Sequence, residues 1–286
     1  MAVSSKKAKR TKKIVFLCDV SLVLFLLFTL FPFLIMMMTS FKSPKEAIST
    51  TPTFFFPKEW TFQHYLDIFN PDIFPFLTYF KNSFIVALVA AGVAVVLGIL
   101  GAYALSKLRF RARTTINASF YTVYMFSGIL LIVPLFKIIS SVGLYDTRTA
   151  LIITMVVQTL PTAIFMLISY FDTIPVDIEE AAMMDGLNRM QIILRIIVPL
   201  AISGIVSVFV YCFMVAWNDY LFASIFLSDS ELFTLPIGLN TLFSTPDYIW
   251  GRMMAASLVT ALPVVIMYAL SERFIKGNLT DGGVKG

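Results

Sequence analysis

Apolar residues fill six long runs of this chain, and polar residues gather between them. The runs cover approximately Ile14–Thr39, Ser83–Ser106, Thr114–Phe136, Thr149–Phe171, Val198–Leu221 and Met253–Ser271. A helix needs roughly 20 apolar residues to cross hydrocarbon, and each run is near that length. The second, third, fourth and sixth contain no charged residue. Asp19 lies near the basic end of the first run, and Asp219 near the far end of the fifth. No run alternates polar with apolar, which disfavours transmembrane strands. Backbone groups in lipid must be satisfied internally, so helices remain. The pattern predicts an all-α membrane protein with six transmembrane helices. The first run reads as a retained span. Its apolar part exceeds a signal-peptide core of about 7–15 residues, and no small-x-small cleavage site follows.

Composition agrees. The chain has 286 residues, 58% hydrophobic and 14% charged, and its mean hydropathy is +0.86. Soluble domains carry about 25% charged residues. The net charge of +5 does not point to nucleic acid. Its basic residues cluster at Lys6–Lys13 and Lys107–Arg113, beside apolar runs, as in cytoplasmic loops. With the N-terminus inside, fifteen Lys and Arg face the cytoplasm and seven face outward, which predicts both termini cytoplasmic. Cys18 and Cys212 lie within apolar segments and read as packing residues. His64 is the sole histidine and has no evident ligand partner, so no histidine-centred metal or triad site is expected. No Walker A pattern occurs, and the chain is not expected to bind ATP by that route.

The loops divide the chain further. Residues 1–13 form a basic cytoplasmic N-terminus, 14–275 the transmembrane domain and 276–286 a cytoplasmic tail. The outer arm, 40–81, holds Pro44, Pro52, Pro57, Pro71 and Pro75 among aromatics such as Trp60 and Tyr65. It should be mostly irregular, with short helices at the outer membrane face. A second outer loop, 222–252, carries Pro236, Gly238, Pro246 and Trp250.

The loop from 172 to 199 holds the most specific signal. Asp172, Asp177, Glu179, Glu180 and Asp185 gather there, between long apolar runs. Glu180-Ala181-Ala182 is followed by three residues, Gly186, nine residues, and Ile196-Ile197-Val198-Pro199. Pro175 and Asp177 suit a helix start. Gly186 suits a left-handed stop. Asn188 suits the cap of a second helix, whose apolar face would be Met190, Ile193, Leu194 and Ile197. Gln191 and Arg195 point elsewhere. Such a unit can serve as an exposed knob, with Ala181 and Ala182 entering a cleft and Glu180 offering a charged contact. Glu-Ala-Ala alone is common. The whole spacing is much more specific than an ordinary interfacial helix.

This loop resembles the EAA loop of ABC-importer permeases. Over nearly its whole length the chain is similar to permease subunits of carbohydrate-uptake ABC importers, of the maltose-type six-span kind. Asn82-Ser83-Phe84, Ala102-Tyr103-Ala104-Leu105 with basic residues after it, and Trp217-Asn218-Asp219-Tyr220 add to the match. So do Thr234-Leu235-Pro236-Ile237-Gly238-Leu239 and the ending Gly282-Gly283-Val284-Lys285-Gly286. Val198 departs from the usual Leu before the proline but stays apolar. The resemblance implies a transport subunit and not an enzyme, in a bacterial or archaeal inner membrane. It implies a second permease, an ATPase dimer and an extracytoplasmic solute-binding protein as partners. ATP and magnesium would sit on the ATPase, with no cofactor on this chain. Glu179, Glu180, Ala181, Ala182, Asp185, Gly186 and Pro199 would form the coupling element. Gly282, Gly283, Val284, Lys285 and Gly286 would reach the ATPase interface.

A secondary transporter driven by an ion gradient is the alternative. It would place ionisable residues at mid-membrane, and these spans are nearly free of them. Candidates for a carbohydrate pathway are Asn117, Tyr121, Gln158, Tyr211, Trp217 and Asn218, polar or aromatic residues within spans. Which carbohydrate is carried stays open.

Overall fold

The computed structural model describes residues 2–48, 55–125, 128–243 and 249–281, with side chains for 15–47, 55–120, 122, 128–243 and 249–272. Helices dominate. Among the described residues the sole strand-like feature is an antiparallel bridge between Lys42 and Trp60. Four helices are long and apolar enough to cross a membrane: Val15–Ser40, Phe76–Lys107, Arg148–Phe171 and Trp250–Glu272. A pair of helices, Arg189–Leu200 and Ile202–Trp217, meets at 85° and brings the number to five if counted as one span.

Two expected spans therefore differ in form. The third run is divided into Arg113–Met125, a 3-10 turn Gly128–Leu131 and Ile132–Ser141. The polar residues Thr114, Thr115, Asn117, Ser119 and Thr122 dilute its first half. The fifth run is bent at its start. Pro199 has no N–H to give to the preceding turn. The backbone widens into a π-turn over Ile193–Ile197, and Val198 N–H bonds the Ile193 carbonyl. A π-turn and a proline are recognised causes of sharp kinks.

The chain forms two compact units. The first comprises residues 1–74 and 242–259. It contains α1 (Ala2–Ser40), α2 (Pro44–Ile48) and α3 (Gln63–Ile68). Among the described residues the arm is short helices and irregular chain, as expected. Phe41 is its hub, tilted against Trp60 and Tyr65 and edge-on to Phe62 with centroids 5.2–5.7 Å away. Ser40 Oγ and Tyr65 OH share a 2.8 Å hydrogen bond. His64, fully buried, bonds the Lys42 carbonyl at 2.9 Å through Nε2. Arg252 pairs with Asp67 at 2.9 Å, and Gln63 donates to the same carboxylate at 2.8 Å. A Cβ on Gly251 would lie 2.1 Å from His64 Nε2, so only glycine fits there.

The second unit comprises residues 75–241 and 260–286. Its helices are α4 (Phe76–Lys107), α5 (Arg113–Met125), α6 (Ile132–Ser141), α7 (Arg148–Phe171), α8 (Val176–Met184), α9 (Arg189–Leu200), α10 (Ile202–Trp217), α11 (Leu221–Phe226) and α12 (Leu235–Thr241). The last helix, α13 (Trp250–Asp281), lends its first residues to one unit and the rest to the other. The core packs α4 against α7 and α10. Ala87, Ala90, Ala91, Ala94, Gly98 and Ala102 line the buried side of α4. Small residues let helix backbones approach where lipid supplies no hydrophobic drive. Two distant motifs meet on α4. Asn82 Nδ2 donates to the Glu231 and Phe233 carbonyls at 2.8 and 2.9 Å. Ser83 Oγ accepts from Leu235 N–H at 2.7 Å.

Candidate functional site

The loop between α7 and α10 folds as a helix, a left-handed stop and a second helix. Pro175 precedes α8, and Asp177 and Glu179 occupy its first turn, where negative charge is favoured. Gly186 ends the helix with φ +85°. Its N–H bonds the Met183 carbonyl at 3.0 Å, and Leu187 N–H bonds the Ala182 carbonyl at 3.1 Å. Those paired bonds are the Schellman arrangement that glycine permits. Asn188 then caps α9. Its side chain accepts from Gln191 N–H, and Gln191 Oε1 accepts from Asn188 N–H, both at 2.9 Å. Gln191 is thus a capping partner. The apolar face of α9 is shifted from the expected one. Ile192, Ile193 and Ile197 are buried, whereas Met190 and Leu194 are exposed.

The six residues of Glu180-Ala181-Ala182 and its flanks separate into two sets. Glu180, Ala181, Asp185 and Gly186 are exposed. Beside them Met184 is 88% exposed, an apolar side chain offered to solvent on a polar helix. Pro199 is exposed at the bend. Glu179 and Ala182 instead face the protein, only 2% and 5% exposed. Ala182 therefore cannot enter an external cleft as the pattern suggested. The helix turns Glu179 and its second alanine inward.

Glu179 has partners on α4. Its Oε1 lies 3.4 Å from Lys107 Nζ, an ion pair without hydrogen-bond geometry. Its Oε2 accepts from Tyr103 OH at 3.1 Å. Lys107 Nζ also donates to the Ile174 carbonyl at 2.6 Å. Arg189, on α9, donates to Tyr103 OH at 3.3 Å. Ser106 donates to Asp172. The end of α4 is itself closed by Arg113, whose guanidinium donates to the Leu105 and Ser106 carbonyls at 2.7 and 2.9 Å. An open groove of about 530 Å³ runs beside this joint, lined by Arg109, Phe110, Glu180, Met183 and Arg189 among others. Sequence reasoning missed Lys107, Tyr103 and Arg189 as members of the site. The signal for Tyr103 and Lys107 was present in Ala102-Tyr103-Ala104-Leu105 and the basic residues after it.

The pathway candidates lie on several helices. Asn117 lies on α5, Gln158 on α7, and Tyr211 and Trp217 on α10. Trp217 is 1% exposed, stacked on Phe213 and edge-on to Phe80, and its Nε1 donates to the Thr260 carbonyl. It is a core residue and offers no open ring face. Asn218 is exposed, and its side chain caps its own helix through the Met214 carbonyl at 2.8 Å. Tyr211 is 37% exposed. Gln158 Oε1 is buried with no hydrogen-bond partner among the described residues. The Tyr121 side chain and the tail Gly282–Gly286 lie outside the described residues. No metal-binding cluster occurs among the described residues.

Comparison with known proteins identifies the setting of this architecture. The family described as binding-protein-dependent transport system inner membrane component matches residues 94–277. The inner membrane ABC transporter permease protein YcjP of Escherichia coli is 75% identical over 97% of this chain and 99% of its own length. The sulfoquinovosyl glycerol transport system permease protein SmoH of Agrobacterium fabrum is 34% identical, covering 90% of this chain and 89% of its own. The trehalose/maltose permease MalG of Thermococcus litoralis is 33% identical, covering 92% of this chain and 94% of its own. A crystal structure of a bacterial ABC transporter that imports the acidic polysaccharide alginate shares the fold. Its TM-score is 0.79 at 24% identity, covering 92% of this chain and 96% of that one. With the fold, the apolar helices and these relatives in agreement, the chain belongs to the binding-protein-dependent transport system inner membrane components, the permease subunits of ABC importers.

Proposed function

We propose that this chain forms half of the translocation channel of a carbohydrate importer and receives force from a separate ATPase through α8. The observation that carries the reading is the split of α8 into two faces. One carboxylate and one alanine are buried on the bundle, while Glu180, Ala181 and Met184 are presented outward on a helix held at both ends. A passive interfacial helix would turn its apolar side chains toward lipid or core and leave no reason to bury Glu179 with Lys107. The carbohydrate class is supported by relatives named for sulfoquinovosyl glycerol and trehalose/maltose transport.

In this reading the chain spans the membrane six times. Helices α5 and α6 together make the third span, and α10, entered through the bent α9, makes the fifth. Both termini and α8 face the cytoplasm. A second permease completes the channel, an ATPase dimer binds ATP and magnesium, and a solute-binding protein delivers carbohydrate to the outer loops 40–81 and 222–252. The tail 282–286 reaches the ATPase interface.

The test is Ala181→Trp, since Ala181 is the exposed alanine and Ala182 the buried one. Tagged permease complex is extracted in detergent and its bound ATPase quantified. The variant should insert at normal levels and lose the ATPase. Glu180→Gln should weaken it only modestly, because an exposed ion pair contributes about 0–1 kcal/mol. Full ATPase recovery with Ala181→Trp sinks the docking assignment.

A further inference from the structure

We propose that Glu179 is a positioning residue: with Lys107, Tyr103 and Arg189 it locks α8 onto the end of α4, so that the two helices move as one body. This deepens the docking reading above and rests on it.

The covalent joints of α8 are each a single turn of chain. On one side it continues from α7 through the turn at Asp172–Pro175. On the other it ends at Gly186, a single left-handed residue with no side chain to brace it. Hinges are often a few such residues at element ends. Force applied to α8 could be dissipated at either joint. The connection to α4 is of another kind. Tyr103 lies 76 positions before Glu179, yet its hydroxyl donates to Glu179 and accepts from Arg189. One oxygen on α4 thereby ties α8 and α9 together. Lys107 adds a second anchor, holding both the Glu179 carboxylate and the Ile174 carbonyl that precedes α8.

The chemistry suits registry better than stability. A buried ion pair is weak evidence for stability, because apolar replacements of similar volume often do as well. Its directional bonds, however, accept one alignment, whereas an apolar contact tolerates sliding. The side chains of Glu179 and Lys107 are only 3% and 5% exposed, so water does not screen them. The helix so engaged is the central one of its unit, packed on both α7 and α10. Motion handed to α4 is therefore handed to the bundle core.

The experiment uses the assembled complex of the full chain with its ATPase, Cys18 and Cys212 having been replaced. Spin labels are placed at Val96→Cys on α4 and Asp177→Cys on α8, both exposed positions. Pulsed electron resonance then measures their separation without nucleotide and with ATP plus vanadate. The wild-type network should give one narrow distance that nucleotide leaves unchanged. Glu179→Gln should broaden the distribution and make it shift with nucleotide. Equal membrane levels and thermal stability of the wild type and Glu179→Gln separate this change from a general folding defect. Tyr103→Phe keeps the ring and removes the bridging hydroxyl, so it should broaden the distribution less while folding normally. A nucleotide-dependent distance in the wild type, or a narrow and nucleotide-independent one in Glu179→Gln, would overturn the proposal. Failure of the docking reading alone looks different. Ala181→Trp would then keep its ATPase, while the narrow distance and its loss in Glu179→Gln persist.

Discussion

Gly186 gives the sharpest test of the site, because its surroundings remove the usual ambiguity. Its φ is +85°, and a Cβ built there would meet no atom within 4 Å. Crowding therefore contributes nothing to a substitution, and the cost is conformational alone. An L-residue in the left-handed region loses roughly 1–2 kcal/mol. That is a factor of about 5–30 between the native stop and alternatives. Asparagine visits this region and should be tolerated. Valine, branched at Cβ, should fare worst. The bonds at stake are Gly186 N–H to Met183 and Leu187 N–H to Ala182, at 3.0 and 3.1 Å. If they open, α8 extends and its outward face is misplaced. We expect coupling to fall in the order glycine, asparagine, alanine, valine. The assay is ATP hydrolysis by purified complexes, at matched permease levels in the membrane. Wild-type hydrolysis in Gly186→Val, or damage from Gly186→Asn equal to that from Gly186→Val, would refute the argument.

Other outcomes follow from the same geometry. Gly204→Ala should lower folded permease levels in membranes, since its Cβ would lie 2.3 Å from the Tyr170 ring and overpacking costs about 1–3 kcal/mol; unchanged levels and thermal stability would show that Tyr170 simply moves aside. The outer arm should loosen in acid. Burial, outweighing its hydrogen bond to Lys42, holds the His64 pKa below its ordinary 6.5, so its stabilisation is complete above pH 6.5 and is lost as pH falls toward the folded value. Burial pushes the Asp67 carboxyl up, but its bonds to Arg252 and Gln63 and the Arg252 charge win, leaving it below 3.8 and adding a second loss at still lower pH. Limited proteolysis of the arm across this range should show an acid step that His64→Gln removes, and protection independent of pH would contradict the assignment.

Much of this was readable from residue order. The uninterrupted apolar runs gave α7 nearly its observed limits and fell inside the longer α4 and α13, which extend past charged residues such as Lys81 and Glu272. Gly186 and Asn188 announced the stop and restart of the coupling loop, since both act through local chemistry. What escaped reading was set by distant partners. Glu179 and Glu180 are identical side chains in adjacent positions, and only the turn of the helix decides which meets Lys107 and Tyr103. Trp217 has the flat ring that sugar faces favour, yet Phe80 and Phe213 already cover it. The third run passed as one helix because its residues are uncharged, although hydroxyl and amide side chains fill its first half.

The helix Val15–Ser40 has a consequence for how this subunit acquires its final form. None of its most apolar stretch is buried by the rest of the chain. Phe16, Leu17, Phe25 and Phe28 are each more than 60% exposed and do not share a single face. A helix apolar on every side is at home in lipid at any rotation about its own axis. Its apolar residues thus encode where it resides and leave its azimuth undetermined. That last coordinate is set only at the outer end, where Ser40 is buried and bonds Tyr65.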